Sequence, residues 1–149
     1  MTSFERTDSH NPDLGSLIQL LDEDLEVRDG EEHSFYASFN KLDDIKHVVI
    51  CYVDGKAIGC GAFKPYDAQT VEIKRMFVNS DYRGKGIGLY ILKELEIWAA
   101  ELNFTAAVLE TGIKQPEAIR LYNKAGYHIT ENFGQYKNAP NSVCFAREF

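Results

Sequence analysis

The sequence predicts a mixed α/β domain in which helices precede a mostly antiparallel sheet and strand–helix alternation closes the chain. Three observations predict it. Asp54-Gly55 lies between two runs rich in Val, Ile, Tyr and small apolar residues, which is the chemistry of a tight hairpin. A glycine-rich loop at residues 83–88 opens a stretch whose apolar residues recur at helical spacing. Beyond it, strand-like and helix-like segments alternate, so parallel pairing joins the antiparallel meander.

The first dozen residues are polar and fit either a short edge strand or a disordered tail. A helix follows, with Asp13 as its expected cap and Leu14, Leu17, Ile18, Leu21 and Leu25 as its buried stripe. Gly30 closes that region, and residues 33–40, with Phe35, Tyr36 and Phe39, read as a second, shorter helix. The meander comprises His47–Val53, 56–64 and 69–78. The main helix runs from the glycine loop to about Leu102, with Ile87, Ile91, Leu95, Trp98 and Leu102 spaced by four, four, three and four. Residues 104–111 read as a strand, 116–125 as a helix, 127–130 as a short strand and 141–147 as the last strand. Pro116 suits the first turn of its helix, and Gly126 suits the stop.

The chain has 149 residues, 44% hydrophobic and 26% charged, which fits one soluble domain spanning 1–149 with no linker or repeat. Its net charge of −7 disfavours nucleic acid, whose phosphates call for Lys and Arg clusters, and mildly favours cationic ligands. No apolar run approaches the roughly 20 residues that span a bilayer, so no membrane is expected. The N-terminal residues lack the pattern of a secretory signal, which gives a cytoplasmic expectation. Cys51, Cys60 and Cys144 form no Cys-x-x-Cys pair and read as small buried hydrophobes. No metal is expected, and a homodimer is left open.

The chemistry concentrates in Glu72 to Gly88, which reads as strand, turn, glycine loop and helix. A helix N-terminus leaves its first N–H groups unpaired and carries partial positive charge. Glycines let a ligand approach that backbone, and together these make a phosphate or pyrophosphate site. Arg83 and Lys85 add charge. A Walker A loop is excluded because Lys85 is followed by Gly86 rather than Ser or Thr. A dinucleotide fingerprint is excluded because position 89 is leucine.

Arg83-Gly84-Lys85-Gly86-Ile87-Gly88, an Arg-x-x-Gly-x-Gly loop before an amphipathic helix, resembles the acetyl-CoA signature of the GNAT superfamily of N-acetyltransferases. The strand up to Val78 precedes it at the family's spacing. Ala118 to Tyr127, with Tyr122 and Gly126 in register, resembles the family's penultimate-helix pattern. The resemblance covers about residues 45–130. It implies a sheet with splayed middle strands, flanked by about four helices, and acetyl-CoA as co-substrate. Backbone groups of Met76, Phe77 and Val78 would pair with the pantetheine arm as an added strand. Residues Arg83, Gly84, Lys85, Gly86, Ile87, Gly88 and Leu89 would wrap the pyrophosphate. The strands carrying Val78 and Leu109 would part to admit the thioester. Many family members have an asparagine where this chain has Gln115, which offers the same amide on a longer stem.

Acyl transfer from a thioester requires a neutral amine, so a base or water path must remove a proton. Glu72, eleven residues before Arg83, holds the spacing of the strand glutamate that is the base in some family members. Period-2 alternation places Glu72, Lys74, Met76 and Val78 on one face. The structural alternative is a pairing of Glu72 with Lys74 or Arg75. Tyr122 is the family-like acid for the departing thiolate; its alternative is a packed aromatic on the helix's inner face. Lys74 or Arg75 could meet a substrate carboxylate, but snorkelling or pairing with acidic neighbours is the simpler reading. The resulting expectation is direct acetyl transfer to a primary amine, first of all of a small molecule. A protein N-terminus or lysine is the second acceptor class, and a non-catalytic acyl-CoA-binding module is the alternative outside enzymes.

Overall fold

The computed structural model describes residues 1–29 and 44–149. Within them lie seven strands and three α-helices: β1 (Thr2–Thr7), α1 (Pro12–Asp29), β2 (His47–Val53), β3 (Lys56–Pro65), β4 (Thr70–Val78), α2 (Ile87–Glu101), β5 (Ala106–Gly112), α3 (Pro116–Lys124), β6 (His128–Thr130) and β7 (Ser142–Glu148). The expected helix at residues 33–40 lies outside the described residues. The polar N-terminus forms an edge strand, held on β2 and anchored by Arg6, which reaches Glu94 and Glu101 on α2 at 2.8 Å each.

The α1 cap departs from expectation. Pro12 takes the first helical position, where a missing N–H costs nothing, so the cap moves back to Asn11. The Asp13 N–H donates to Asn11 Oδ1 at 2.9 Å, and Asp13 instead accepts from the Tyr52 hydroxyl at 2.7 Å. That contact ties α1 to β2. Leu14, Leu17, Ile18, Leu21 and Leu25 are all buried, as their spacing predicts. Asp54 and Gly55 both have positive φ, 50° and 81°, the backbone of a type I′ hairpin turn.

The strands form one sheet in the order β1-β2-β3-β4-β5-β7-β6. Every neighbouring pair is antiparallel except β4–β5. One face carries α1 over Val48, Ile50, Cys60 and Ala62. The other carries α2 and α3 over Phe63, Ile73, Leu109 and Phe145. On α2, Ile87, Ile91 and Leu95 are buried as predicted; the stripe ends on Ala99, and Leu102 is exposed. All three cysteines are buried and unpaired.

Two features of β4 position the site. The first is a bulge: Cys60 faces Phe77 and Ala62 faces Lys74, so Gly61 alone opposes Arg75 and Met76. Arg75 takes φ 60° there. The extra residue shifts the alternation. Met76 and Val78 pack on the same core as Val71 and Ile73, whereas Phe77 packs on the α1 side. Glu72 and Lys74 therefore do not share a face with Met76 and Val78, contrary to the period-2 expectation. The second feature is a parting of strands. β4 pairs with β5 from Thr70–Ala106 to Ile73–Leu109, and no further.

Gly61 makes the bulge possible. A Cβ at this position would lie 2.5 Å from Met76 Sδ and 2.8 Å from both Ile91 Cγ2 and Leu95 Cδ1. Gly61→Ala is expected to destabilise the fold by about 1–3 kcal/mol, the usual cost of overpacking a core. Denaturant unfolding checks this; unchanged stability would mean that the bulge and α2 repack freely.

Candidate functional site

The N-terminus of α2 opens on a cleft of about 370 Å³ between the parted end of β4, α1 and α3. Gly84 and Gly86 occupy the left-handed region at φ 81° and 79°, which lets the chain turn sharply from the short 3₁₀ turn at Ser80–Tyr82 into the helix. Gly86 is the N-cap and supplies no side-chain cap. The first intrahelical bond runs from the Tyr90 N–H to the Gly86 carbonyl. The N–H groups of Ile87, Gly88 and Leu89 precede it and have no carbonyl within the helix to donate to. All three residues line the cleft. Gly88 also permits close packing: a Cβ there would sit 3.3 Å from Leu121 Cδ2.

Along the adjoining wall, residues 74–78 of β4 pair with β3 on one edge, while the other edge has lost its β5 partner. Met76, Phe77 and Val78 line the cleft along that edge. Arg83 is held beside it. Its Nε donates to the Val78 carbonyl at 2.8 Å, one terminal nitrogen lies 3.9 Å from Asp24 Oδ2, and its guanidinium lies 5.6 Å from the centre of the Phe77 ring. The opposite wall is α3, which presents Gln115 at its N-cap position, Ala118, Leu121 and Tyr122. Arg120 and Lys124 add positive charge to the rim. A long ligand with a phosphate-bearing end and a hydrogen-bonding arm fits these walls: N–H groups with no partner within the helix at one end and, among the described residues, an open strand edge along the side.

Of the sequence-predicted contacts, Met76, Phe77, Val78, Arg83, Gly84, Gly86, Ile87, Gly88, Leu89, Gln115 and Tyr122 all line this cleft. Lys85 does not. Its ammonium lies 5.5 Å from the centre of the Tyr82 ring, in a neighbouring depression bounded by Thr2, Phe4, Val53 and Tyr90. Asp24 and Tyr82 line the cleft as well, and neither is marked by the loop motif.

Tyr122 is 5% exposed, with its ring 6.0 Å from Tyr127 and 5.7 Å from Phe145. Burial, then the negative charge of Glu110, pushes its phenol well above the ordinary tyrosine range. The hydroxyl therefore stays protonated and is available as a proton donor. The end of α3 is fastened behind it. The Tyr127 hydroxyl and an Arg147 terminal nitrogen each donate to the buried Glu96 carboxylate at 2.8 Å.

Glu72 stands apart from the cleft lining. It is 6% exposed, on the sheet face opposite Met76 and Val78, with Lys74 Nζ 3.8 Å from its Oε2. Glu110 on β5 and Ser142 at the start of β7 are further polar residues of the neighbouring strands, and Tyr136 feels the charges of both Glu110 and Glu72. The Ser142 hydroxyl donates to Glu110 Oε2 at 2.5 Å. Glu110 has the same sequence signal as Glu72, a carboxylate inside an apolar strand, but no motif spacing directs attention to it. Tyr136 and Ser142 carry no sequence signal. His47 stacks on Phe63 at 4.7 Å and meets Trp98 edge-on at 4.9 Å, a packing role.

A model of the acetyltransferase (GNAT) family matches residues 14–127. Probable N-acetyltransferase 14 of Xenopus tropicalis is 37% identical over 94 residues, 62% of this chain and 46% of that protein. The IAA acetyltransferase of Azospirillum brasilense is 38% identical over 90 residues, 60% of this chain and 59% of its own. The chain thus spans about half the length of these relatives. Among solved structures, a Klebsiella pneumoniae protein assigned as an acyl-CoA N-acyltransferase superposes with a TM-score of 0.83 at 25% identity, covering 99% of this chain and 97% of that one. A GNAT family acetyltransferase from Elizabethkingia anophelis, solved with acetyl-CoA bound, shares the fold with a TM-score of 0.69 at 21% identity, over 99% of this chain and 98% of that one.

Proposed function

Because the chain belongs to the acetyltransferase (GNAT) family, we propose that it moves an acetyl group from acetyl-CoA directly to a primary amine, that of a small molecule. The observation that carries this is the cleft, where an uncapped α2 N-terminus adjoins the open edge of β4. The N–H groups of Ile87, Gly88 and Leu89, with Arg83, would hold the pyrophosphate. The backbone of Met76, Phe77 and Val78 would receive the pantetheine arm, with Gln115 across from it. Lys85 would act on the phosphates from outside the cleft, through charge. No helix among the described residues is long and apolar enough to cross a membrane. Three buried unpaired cysteines agree with a reducing, cytoplasmic setting.

The proposed chemistry starts from the state of the acceptor. The acceptor arrives as an ammonium and must lose a proton before its nitrogen can attack. Glu72, through water, takes that proton. A backbone N–H near Val78 polarises the thioester carbonyl. The new C–N bond forms as the C–S bond breaks, and Tyr122 gives its proton to the departing sulfur. The second proton of the attacking nitrogen replaces it. The net release is the amide, coenzyme A and one proton.

The test has two parts. Calorimetry of the purified protein with acetyl-CoA is expected to show binding, and saturation is expected to raise thermal stability by mass action. An amine library followed by thiol release is then expected to single out small primary amines. Absence of heat and of thermal shift at saturating acetyl-CoA would overturn the reading. Binding without thiol release for any amine would leave a non-catalytic acyl-CoA module, and release only with peptides would move the acceptor to proteins.

A further inference from the structure

Helix α3 ends in a turn that closes on Tyr122 itself. The Gly126 N–H donates back to the Asn123 carbonyl at 3.2 Å, and the Tyr127 N–H donates to the Tyr122 carbonyl at 3.0 Å. Gly126 takes φ 92°, the left-handed backbone that this closure needs. An apolar contact between the residues joined by the longer bond commonly accompanies it. Here that contact is ring on ring, with the centres of Tyr122 and Tyr127 6.0 Å apart. A phenylalanine at 127 would serve it equally well.

The Tyr127 hydroxyl has a separate partner. It donates to Glu96 Oε2 at 2.8 Å, and an Arg147 terminal nitrogen donates to Glu96 Oε1 at 2.8 Å. A Cβ at Gly126 would lie 3.3 Å from Arg147 Nε, so the glycine also gives the arginine room to pass. Glu96 is 7% exposed, within α2. A buried ion pair is costly to desolvate, and apolar residues of similar volume often stabilise as well. Stability alone therefore gives little reason for hydroxyl, carboxylate and guanidinium to meet here. Geometry gives one. α2 begins with Ile87, Gly88 and Leu89, whose N–H groups are assigned to the pyrophosphate, and Glu96 lies roughly 10 Å further along the same helix. A single rod thus carries the cofactor donors and the carboxylate that fastens the ring packed on Tyr122.

We propose that Glu96, Tyr127 and Arg147 are positioning residues: the Glu96 carboxylate, through Tyr127, fixes the Tyr122 phenol against the coenzyme sulfur, and Arg147 holds that carboxylate in place. This rests on the acyl-transfer reading with Tyr122 as its acid, and it adds the residues that aim that acid.

The experiment saturates the protein with coenzyme A labelled at the carbon beside its sulfur and follows ionisation of the bound thiol by NMR across pH. A phenol donating to sulfur favours the thiolate, so the bound thiol ionises at lower pH. Tyr122→Phe removes the donor and is expected to raise the midpoint by about one pH unit, the worth of a hydrogen bond to a charged group. Tyr127→Phe keeps the ring but cuts the tether, and is expected to raise the midpoint by about half as much. Added to Tyr122→Phe, it is expected to move the midpoint no further, because no phenol is left to misplace. Tyr127→Phe also leaves a buried carboxylate short of a donor and should lower the melting temperature. Glu96→Leu combined with Tyr127→Phe removes charge and hydroxyl together, so the melting temperature should recover while the midpoint stays raised. A wild-type midpoint in Tyr127→Phe, or an equal rise with and without Tyr122, overturns the inference. If Tyr127→Phe does not fold, a wild-type midpoint in the Glu96→Leu, Tyr127→Phe protein overturns it. An unchanged midpoint in Tyr122→Phe overturns it too, while coenzyme A binding stands. Failure of wild type to bind coenzyme A overturns the acyl-transfer reading and this inference with it.

Discussion

Gly86→Asp is expected to abolish acetyl-CoA binding and leave the protein folded. The position is roomy: among the described residues, the one atom within 4 Å of a Cβ built there is Tyr90 Cε2, at 3.7 Å. Its φ of 79° is left-handed, a region that Asp tolerates better than most residues, at a cost of about 1–2 kcal/mol. Gly86 is also the N-cap of α2, where Asp is a preferred residue because its carboxylate accepts from the N2 or N3 N–H. Here those N–H groups belong to Gly88 and Leu89, two of the donors assigned to the pyrophosphate. The substituted carboxylate would therefore satisfy the donors that the ligand needs and set a like charge beside it. Such juxtaposition costs several kcal/mol, so affinity should fall by more than about 10²-fold. A ligand at a hundred times its Kd stabilises by about 2.7 kcal/mol; that thermal shift should vanish in the variant. A folded Gly86→Asp protein that binds acetyl-CoA normally would reduce the loop to a helix start and remove the main support for the cofactor site. Gly86→Ala provides the contrast, since it shares the backbone strain but brings no charge and no cap.

Gly86 also shows which backbone features the sequence announces. Gly84 and Gly86 announce left-handed backbone because glycine is the residue that adopts it cheaply, and Asp54-Gly55 announces its hairpin for the same reason. Arg75 gives no such notice. Nothing about arginine signals φ 60°, so the bulge on β4 is invisible in the sequence, and with it the change of face between Lys74 and Met76. Strict alternation placed Glu72 beside Met76; tertiary fit around Gly61 separates them. The parting of β4 from β5 is equally unreadable from local pattern, because it depends on where a parallel pairing stops. The resemblance supplied the parting as an expectation, whereas periodicity could not. Lys85 illustrates a further limit: a motif places a residue in a loop but does not say which side of Tyr82 its side chain will take. Glu110 was equally visible as a carboxylate in an apolar strand. Glu72 has in addition its spacing to Arg83, and spacing carries no information about exposure.

Glu72→Gln and Tyr122→Phe are expected to lose activity in ways that pH separates. Each removes a proton-transfer group, typically worth about 10²–10⁴-fold in turnover, so either loss stands well above assay noise. Loss of a base is most costly at low pH, where nearly all of the amine is protonated. As pH rises toward the amine's own pKa, free amine accumulates and the need for the base declines, so Glu72→Gln should recover part of its rate. Tyr122→Phe acts on the other half of the reaction. Burial, then the charge of Glu110, holds the phenol protonated well above its ordinary range, so across ordinary assay pH the wild-type tyrosine remains a donor. Its removal leaves the sulfur without that proton at every pH, and the defect should be flat. Neither variant should lose acetyl-CoA affinity, because the groups assigned to the cofactor are backbone N–H groups, the β4 edge and Arg83. The packing cost of Tyr122→Phe should be small, since the ring keeps its contacts with Tyr127 and Phe145. Full activity of Glu72→Gln across the pH range would fit its burial against Lys74 and leave water or Glu110 to accept the proton. A Tyr122→Phe defect that faded at high pH would mean that the tyrosine serves amine deprotonation, with some other donor at the sulfur.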